Sequence, residues 1–321
     1  MSVIYQGMPP KKEIFQIFGE TMEELFAEDP AVVYLDADLM GSLKTQQLWE
    51  MYPERVFNCG IQEADMVGVA AGLYLTGYKP YIHSFSPFAT RRVYDQLFLS
   101  VGYAHKSVRV IGSDVGIMAT YNGGTHMCLE DIALMRAIPE SCVIDVSDGR
   151  MFQVLLRQTK DRPGVVYFRT PRRDLPDIYS EDTDFEIGKA KVLREGSDVT
   201  IIASGIMVAT ALQTAALLEQ MDIQATVLDP ITVKPLDEET VLQWAQKTGA
   251  VVTAENHNVV GGLGGAVAEL LCENCPVPMK RVGVHDQFGQ VGSEAYLRET
   301  YGLTARDIVE ATQAVMARKR D

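Results

Sequence analysis

The sequence is short of the residues that would place it outside the cell, in a membrane or on a nucleic acid. It has five cysteines in 321 residues, namely Cys59, Cys128, Cys142, Cys272 and Cys275. The number is odd, the positions are scattered and the chain is large enough to need no covalent staples, so a reducing cytoplasm is expected rather than a disulfide framework. Cys272 and Cys275 form a single CxxC, and without a second pair or a histidine cluster nearby it carries no metal or redox expectation. No apolar run approaches the length needed to span a bilayer, and the stretch from Met1 to Lys12 lacks the apolar core of a leader. A soluble cytoplasmic protein without membrane contact is expected. Positive charge is also scarce: 29 Lys and Arg face 43 Asp and Glu, for a net charge of −14. That balance argues against nucleic acid or an anionic lipid surface as a partner. A small anionic ligand stays open, because Arg169, Arg172 and Arg173 could dominate one pocket. Low-complexity tracts and repeats of solenoid period are lacking too.

What is present is ordinary globular material. Apolar residues make up 47% and charged residues 22%, and the length suggests two domains. Apolar runs alternate with helical patterns nearly throughout. The spacing predicts helices over 12–28, 62–77, 88–103, 129–137 and 149–160. Between them lie strands at Val32–Leu35, Tyr81–His83, Val108–Ile111, Cys142–Ile144 and Val165–Phe168. Runs of β-branched residues without alternation suit a parallel sheet covered on both faces. The rhythm breaks over 174–190, which is polar, acidic and poor in core residues. It then resumes with strands near 199–202, 225–228, 251–253 and 280–282, and helices over 206–219, 237–247, 262–272 and from about 304. The expected class is α/β: two doubly wound domains, residues 1–178 and 188–321, joined by a linker over 179–187.

One constellation carries chemistry. Glu63 lies in Gly60-Ile61-Gln62-Glu63-Ala64-Asp65-Met66, just ahead of the small-residue stretch Val67-Gly68-Val69-Ala70-Ala71-Gly72. Ser84-Phe85-Ser86-Pro87-Phe88 follows, then Arg91-Arg92-Val93-Tyr94-Asp95-Gln96. An acid, a helix tight enough for another backbone to approach, a strand and paired phenylalanines make the layout of a site for a flat heteroaromatic ring. The ring would stack on Phe while the carboxyl group hydrogen-bonds one of its nitrogens.

Those segments resemble thiamine-diphosphate enzymes. With Leu35-Asp36-Ala37-Asp38-Leu39, Gly123-Gly124-Thr125-His126, Glu130-Asp131-Ile132-Ala133, Arg136-Ala137-Ile138-Pro139 and Phe168-Arg169-Thr170, their order and spacing resemble the pyrimidine-binding domain of that family. The second half resembles the C-terminal domain of transketolases. The resemblance implies that Glu63 sits next to the pyrimidine N1′ and favours the imino tautomer, whose nitrogen removes the thiazolium C2 proton. It implies that Phe85 and Phe88 line the pyrimidine pocket and that Asp38 lies near the cofactor and the subunit contact. His126 would contact the sugar oxygens, and Arg169 would grip a sugar phosphate. The chain departs from the family at Asn122, where an acid is usual, and at Ser113-Asp114, where a histidine often precedes the Asp. Both positions touch substrate in the family, so ketol chemistry stands while the sugar, its stereochemistry and its phosphate stay open.

The diphosphate- and Mg²⁺-binding domain of the family, marked by Gly-Asp-Gly, has no counterpart in this sequence. The resemblance therefore implies the C-terminal half of a split transketolase. It would be inactive alone, pair with an N-terminal subunit that holds most of the Mg²⁺ site, and self-associate within an α₂β₂ assembly. Its substrates would be small sugars or sugar phosphates. The alternatives are the β subunit of a 2-oxo-acid dehydrogenase, a 1-deoxyxylulose-5-phosphate-synthase-like enzyme, or a non-catalytic partner that keeps only the fold. Gly261-Gly262-Leu263-Gly264-Gly265 could cradle an anion at a helix start, but it is read as a tight packing loop. Glu255, His257 and His285 are read as structural or interface residues, and His83 and His105 carry no distinctive context.

Overall fold

The computed structural model describes residues 3–171 and 175–319. Arg172 and Arg173 lie outside the described residues. By compactness the chain divides into two units. One is formed by the residues up to Val115 together with Leu134–Phe185; the other is formed by Gly116–Ala133 together with the residues from Glu186 onward. The segment 116–133, which the sequence places inside the first domain, thus groups with the second unit.

The first unit begins with α1 (Ile14–Glu28), β1 (Val32–Asp36), the short helices α2 (Met40–Leu43) and α3 (Gln46–Met51), and β2 (Val56–Asn58). Then come α4 (Glu63–Leu75), β3 (Lys79–Phe85), α5 (Ser86–Ala89) and β4 (Val108–Ser113). After α6 (Asp131–Ala137) follow β5 (Cys142–Asp145), α7 (Gly149–Gln158) and β6 (Val165–Thr170). Within this unit the strands run β5-β6-β4-β3-β1-β2, all parallel. Every residue of β1, β4 and β6 is buried, as strands covered by helices on both faces require. Phe18 of α1 stacks on Phe152 of α7 with centroids 6.1 Å apart, and Phe152 meets Phe168 of β6 edge-on at 5.8 Å. Asp148 caps α7 through the Met151 amide and also accepts the Ile178 and Tyr179 amides at 2.9 Å, which ties the end of the unit to that helix.

The single helix expected over 88–103 is broken. Pro87 sits in the first turn of α5, but Thr90 leaves the helical region at φ −125°, ψ −78°. A 3-10 turn, Arg91–Val93, and a π-helix, Gln96–Tyr103, follow. The buried residues Val93, Leu97 and Val101 recur every four positions.

The second unit contains β7 (Lys191–Arg194), β8 (Val199–Ala203), α8 (Met207–Glu219), β9 (Ala225–Asp229) and β10 (Thr232–Lys234). These are followed by α9 (Glu238–Thr248), β11 (Val251–Asn258), α10 (Leu263–Asn274), β12 (Met279–Val284), α11 (Glu294–Tyr301) and α12 (Ala305–Met316). Its sheet has the order β12-β11-β8-β9-β7, parallel except that β7 is antiparallel to β9. The sequence pattern does not predict short α2, α3 and β2, the edge strand β7 or helix α11. They are brief or polar, so their periodic signal is weak.

Candidate active site

The candidate site lies at the carboxyl ends of β1, β3 and β4, the edge where open parallel sheets bind ligands. Glu63 is the first residue of α4 and is 2% exposed. The Ser84 hydroxyl, from the end of β3, donates to Oε1 at 3.0 Å, and Arg92 donates to Oε2 at 2.6 Å. Arg92 also lies over the Phe88 ring, 3.9 Å from its centroid, and its side chain is 42% exposed. Phe85 and Phe88 sit with centroids 6.3 Å apart and planes tilted by 45°. The structure thus joins Glu63 to Phe88, and through it to Phe85, by way of one arginine that sequence reasoning did not single out.

Asp38 is exposed at the turn after β1, in the left-handed region at φ 63°. Its carboxylate accepts from Asn58 Nδ2 at 3.0 Å, while Asn58 Oδ1 takes the amides of Asp38 and Gly60 at 3.1 and 2.9 Å. Ser113 ends β4 and is wholly buried, with its Oγ 3.0 Å from His83 Nε2. His83 Nδ1 is 2.7 Å from Asp36 Oδ2, which also accepts the Tyr34 hydroxyl at 2.7 Å. Burial and the neighbouring Asp36 push the Tyr34 phenol well above its usual range, so it remains a donor. Nothing in the sequence hints at this chain of side chains, because its members lie 2, 47 and 30 residues apart.

Arg169 is wholly buried in β6, and its guanidinium faces Asp145 at 3.2 Å. Its charge is therefore already compensated inside the first unit. Asn122 and His126 lie on the segment that groups with the second unit. Asn122 is exposed, and His126 is half-buried with Nδ1 2.8 Å from Thr125 Oγ1. This loop is anchored by close backbone approach. A side chain at Gly123, which stands at φ 70°, would meet Val291 Cγ2 at 2.7 Å, and one at Gly124 would run into the Gly289 carbonyl. The Ile117 amide donates to Asn256 Oδ1 at 3.0 Å, and the Asn258 amide to the Leu129 carbonyl at 2.8 Å.

The glycine run 261–265 serves a carboxylate of the chain itself. Buried Glu255 accepts the amides of Leu263 at 2.7 Å and Gly264 at 2.8 Å, closing the start of α10. A side chain at Gly262 would collide with that carboxylate. The site for an outside anion is thus taken. His257, also buried, bonds the Asn258 carbonyl through Nδ1 at 2.6 Å. Among the described residues no group of three or more His, Cys, Asp or Glu could hold a metal ion, and no helix is long and apolar enough to cross a membrane.

Glu63 is thus a buried carboxylate joined through Arg92 to the Phe88 ring, and comparison with known proteins gives the chain a family. Residues 11–177 match the profile of the transketolase pyrimidine-binding domain, and residues 188–308 match that of the transketolase C-terminal domain. The chain is 51% identical over 302 residues to the 6-deoxy-6-sulfo-D-fructose transketolase subunit SqwH of Clostridium sp. (strain MSTE9), covering 94% of each chain. It is 35% identical over 292 residues to a subunit of the apulose-4-phosphate transketolase of Phocaeicola vulgatus, covering 91% of this chain and 93% of that one. A solved structure described as a split gene transketolase, inactive beta4 tetramer, matches with a TM-score of 0.88 and 42% identity, over 96% of this chain and 99% of that chain. The chain therefore belongs to the transketolase family. Within it, the chain is a C-terminal subunit of the split, two-subunit kind, a transferase that works with a partner subunit. The family implies thiamine diphosphate as its cofactor.

Proposed function

We propose that this subunit, assembled with an N-terminal subunit, transfers a two-carbon ketol unit from a ketose to an aldose, and that Glu63 is the residue that turns on its cofactor. The observation that carries the reading is the Glu63 carboxylate, buried at the head of α4 and bridged by Arg92 to the Phe88 ring, with Phe85 next to Phe88. Its chemistry fits the group. A carboxyl at 2% exposure can hold a hydrogen bond to a ring nitrogen without competition from water, and two phenyl rings can flank a pyrimidine face. Thiamine diphosphate, when bound, supplies the carbon nucleophile that carries the two-carbon unit. Glu63 would hold the proton shared with the pyrimidine N1′, Ser84 would keep the carboxylate oriented through Oε1, and Arg92, being partly exposed, could yield Oε2 to the ring. Asp38 would border the cofactor at the β1 turn. Mg²⁺ and the diphosphate would be held mainly by the partner.

In this reading residues 1–178 form the pyrimidine-binding domain, residues 188–321 form the C-terminal domain, and 179–187 link them. His126 and Asn122 would face sugar oxygens, where an imidazole can donate to a carbonyl or move a hydroxyl proton. Ser113 stands for the strand-end substrate position. Arg169 can serve a phosphate only by sharing its guanidinium with Asp145. The donor class is a ketose with an anionic terminus, sulfonate or phosphate, a proposal supported by the substrates that the two relatives' names carry.

Assembly with a partner subunit and a second copy is supported by an uncovered face of α4. Val69 and Leu75 are 40% and 69% exposed, Ile61 just before the helix is 69% exposed, and a side chain at Gly68 or Gly72 would meet nothing within 4 Å. Such a stripe of small and apolar residues invites close approach by another helix. A cytoplasmic location is part of the proposal, and free cysteines suit a reducing compartment. The test is purification with the partner subunit and a thiamine-diphosphate-dependent assay over sulfonated, phosphorylated and neutral ketoses. Turnover of a 2-oxo acid with none of the ketoses would overturn the reading in favour of a dehydrogenase β subunit.

A further inference from the structure

Four side chains without solvent exposure cross the carboxyl edge of the first unit's sheet, next to Glu63. Tyr34 and Asp36 belong to β1, His83 to β3 and Ser113 to β4, and β3 lies between the other two strands. Asp36 and His83 are paired in register across β1 and β3. The links are Tyr34 Oη to Asp36 Oδ2 at 2.7 Å, Asp36 Oδ2 to His83 Nδ1 at 2.7 Å, and His83 Nε2 to Ser113 Oγ at 3.0 Å.

The proton inventory gives each member one role. An ionised carboxylate only accepts hydrogen bonds, and Asp36 takes the Tyr34 hydroxyl and, through Oδ1, the Leu39 amide. The ring nitrogen that faces Asp36 must therefore carry hydrogen. In a neutral imidazole this leaves Nε2 as the acceptor, and the Ser113 hydroxyl donates to it.

We propose that Asp36, His83 and Ser113 form a positioning clamp for the cofactor site, with His83 held as the Nδ1–H tautomer. The role rests on the reading of Glu63 given above. Successive side chains on a strand point to opposite faces. His83 is tied on one face to both flanking strands. Ser84, the next residue, points to the other face and donates to Glu63, and Phe85 comes one residue later. Anchoring His83 from two sides fixes the end of β3 in the sheet, and with it the Ser84 hydroxyl and the Phe85 ring. The same Asp36 carboxylate holds the Leu39 amide and so the turn that carries Asp38 at φ 63°. Lack of exposure keeps His83 and Ser113 from acting as a base and nucleophile pair, so the Ser-His-Asp order here is not a hydrolytic triad.

Two measurements test the clamp. The first is long-range proton–nitrogen correlation on the full-length chain with labelled histidine, with the His83 signals assigned by their response to Ser113→Ala. Of the five histidines, His83 is expected as the Nδ1–H tautomer with a slowly exchanging, downfield proton; an Nε2–H tautomer or a rapidly exchanging proton overturns the proposal. The second is the dissociation constant of thiamine diphosphate from the assembled two-subunit enzyme. Removing a buried hydrogen-bond partner predicts binding weakened by about tenfold in Ser113→Ala and more in His83→Ala. His83→Asn, which keeps an N–H toward Asp36, should recover part of the loss. Parental affinity in both alanine variants overturns the clamp. Parental turnover in Glu63→Gln would instead overturn the underlying reading and leave the tautomer result standing, so the two failures are distinguishable.

Discussion

Replacing Glu63 by Gln separates the chemistry of the carboxylate from its shape. The two side chains have nearly the same volume, so no cavity forms. The hydrogen bonds can also be kept. Turned one way, the amide oxygen accepts from Arg92 and the amide nitrogen donates to Ser84 Oγ, since a hydroxyl both gives and takes hydrogen bonds. What disappears is the charge. The loss of a charge-assisted bond costs about 1.5–3 kcal/mol, offset by relief of the desolvation of a carboxylate that is 2% exposed. The net change in stability should stay within about 1–2 kcal/mol, or a few degrees in Tm. Ketol transfer by the assembled enzyme should fall much further, by about 10²–10⁴ in kcat, because an amide cannot hold the proton that the pyrimidine nitrogen needs. The assay is thiamine-diphosphate-dependent turnover at saturating cofactor, with a thermal melt and a gel-filtration profile of the assembled complex alongside. Full turnover refutes the mechanism. A lost activity that tracks a lost assembly refutes the claim that Glu63 acts through its charge rather than through the fold.

Three further outcomes are expected. Gly262→Ala should destabilise the second unit by about 2–3 kcal/mol, because its methyl group meets the buried Glu255 carboxylate that closes α10; an unchanged urea midpoint would contradict this. The Lys79 ion pair, at 2.7 Å, lowers the Asp29 carboxyl from its usual 3.8 to about 2. A depressed folded pKa gives stability that is fully present above the unfolded value and is lost as pH falls through the folded one. The stability gap between the parent and Lys79→Met should therefore be complete well above pH 3.8 and should shrink as pH falls toward 2; urea melts across that range read it, and a gap independent of pH would contradict it. Among the thiols, exposed Cys272 should react first with an aromatic disulfide reagent. Burial pushes Cys59 and Cys142 up to about 11, so a rapid Cys142 adduct in the native protein would contradict its placement.

The sequence alone determined the class of fold, and it singled out Glu63, Phe85 and Phe88 as candidate site residues. Strands such as Val32–Leu35 and Val165–Phe168 announce themselves because a strand buried on both faces must be apolar along its whole length. Glu63, Phe85 and Phe88 were legible because they fall within 26 residues of one another, on a helix start and a strand end whose spacing survives in one dimension. The tertiary structure decided what depends on distant segments meeting. It put Arg92 against Glu63 and Phe88, sealed Arg169 with Asp145, and filled the glycine-rich helix start with Glu255. It grouped the His126 loop with the second unit through contacts with Asn256 and residues 289–291, more than a hundred residues away. It also drew Asp36, His83 and Ser113 into one buried chain. Local periodicity fixes which face of an element is apolar, whereas the partner of a buried polar group is chosen by whichever strand end or loop packs against it, and that choice exists only once the chain has folded.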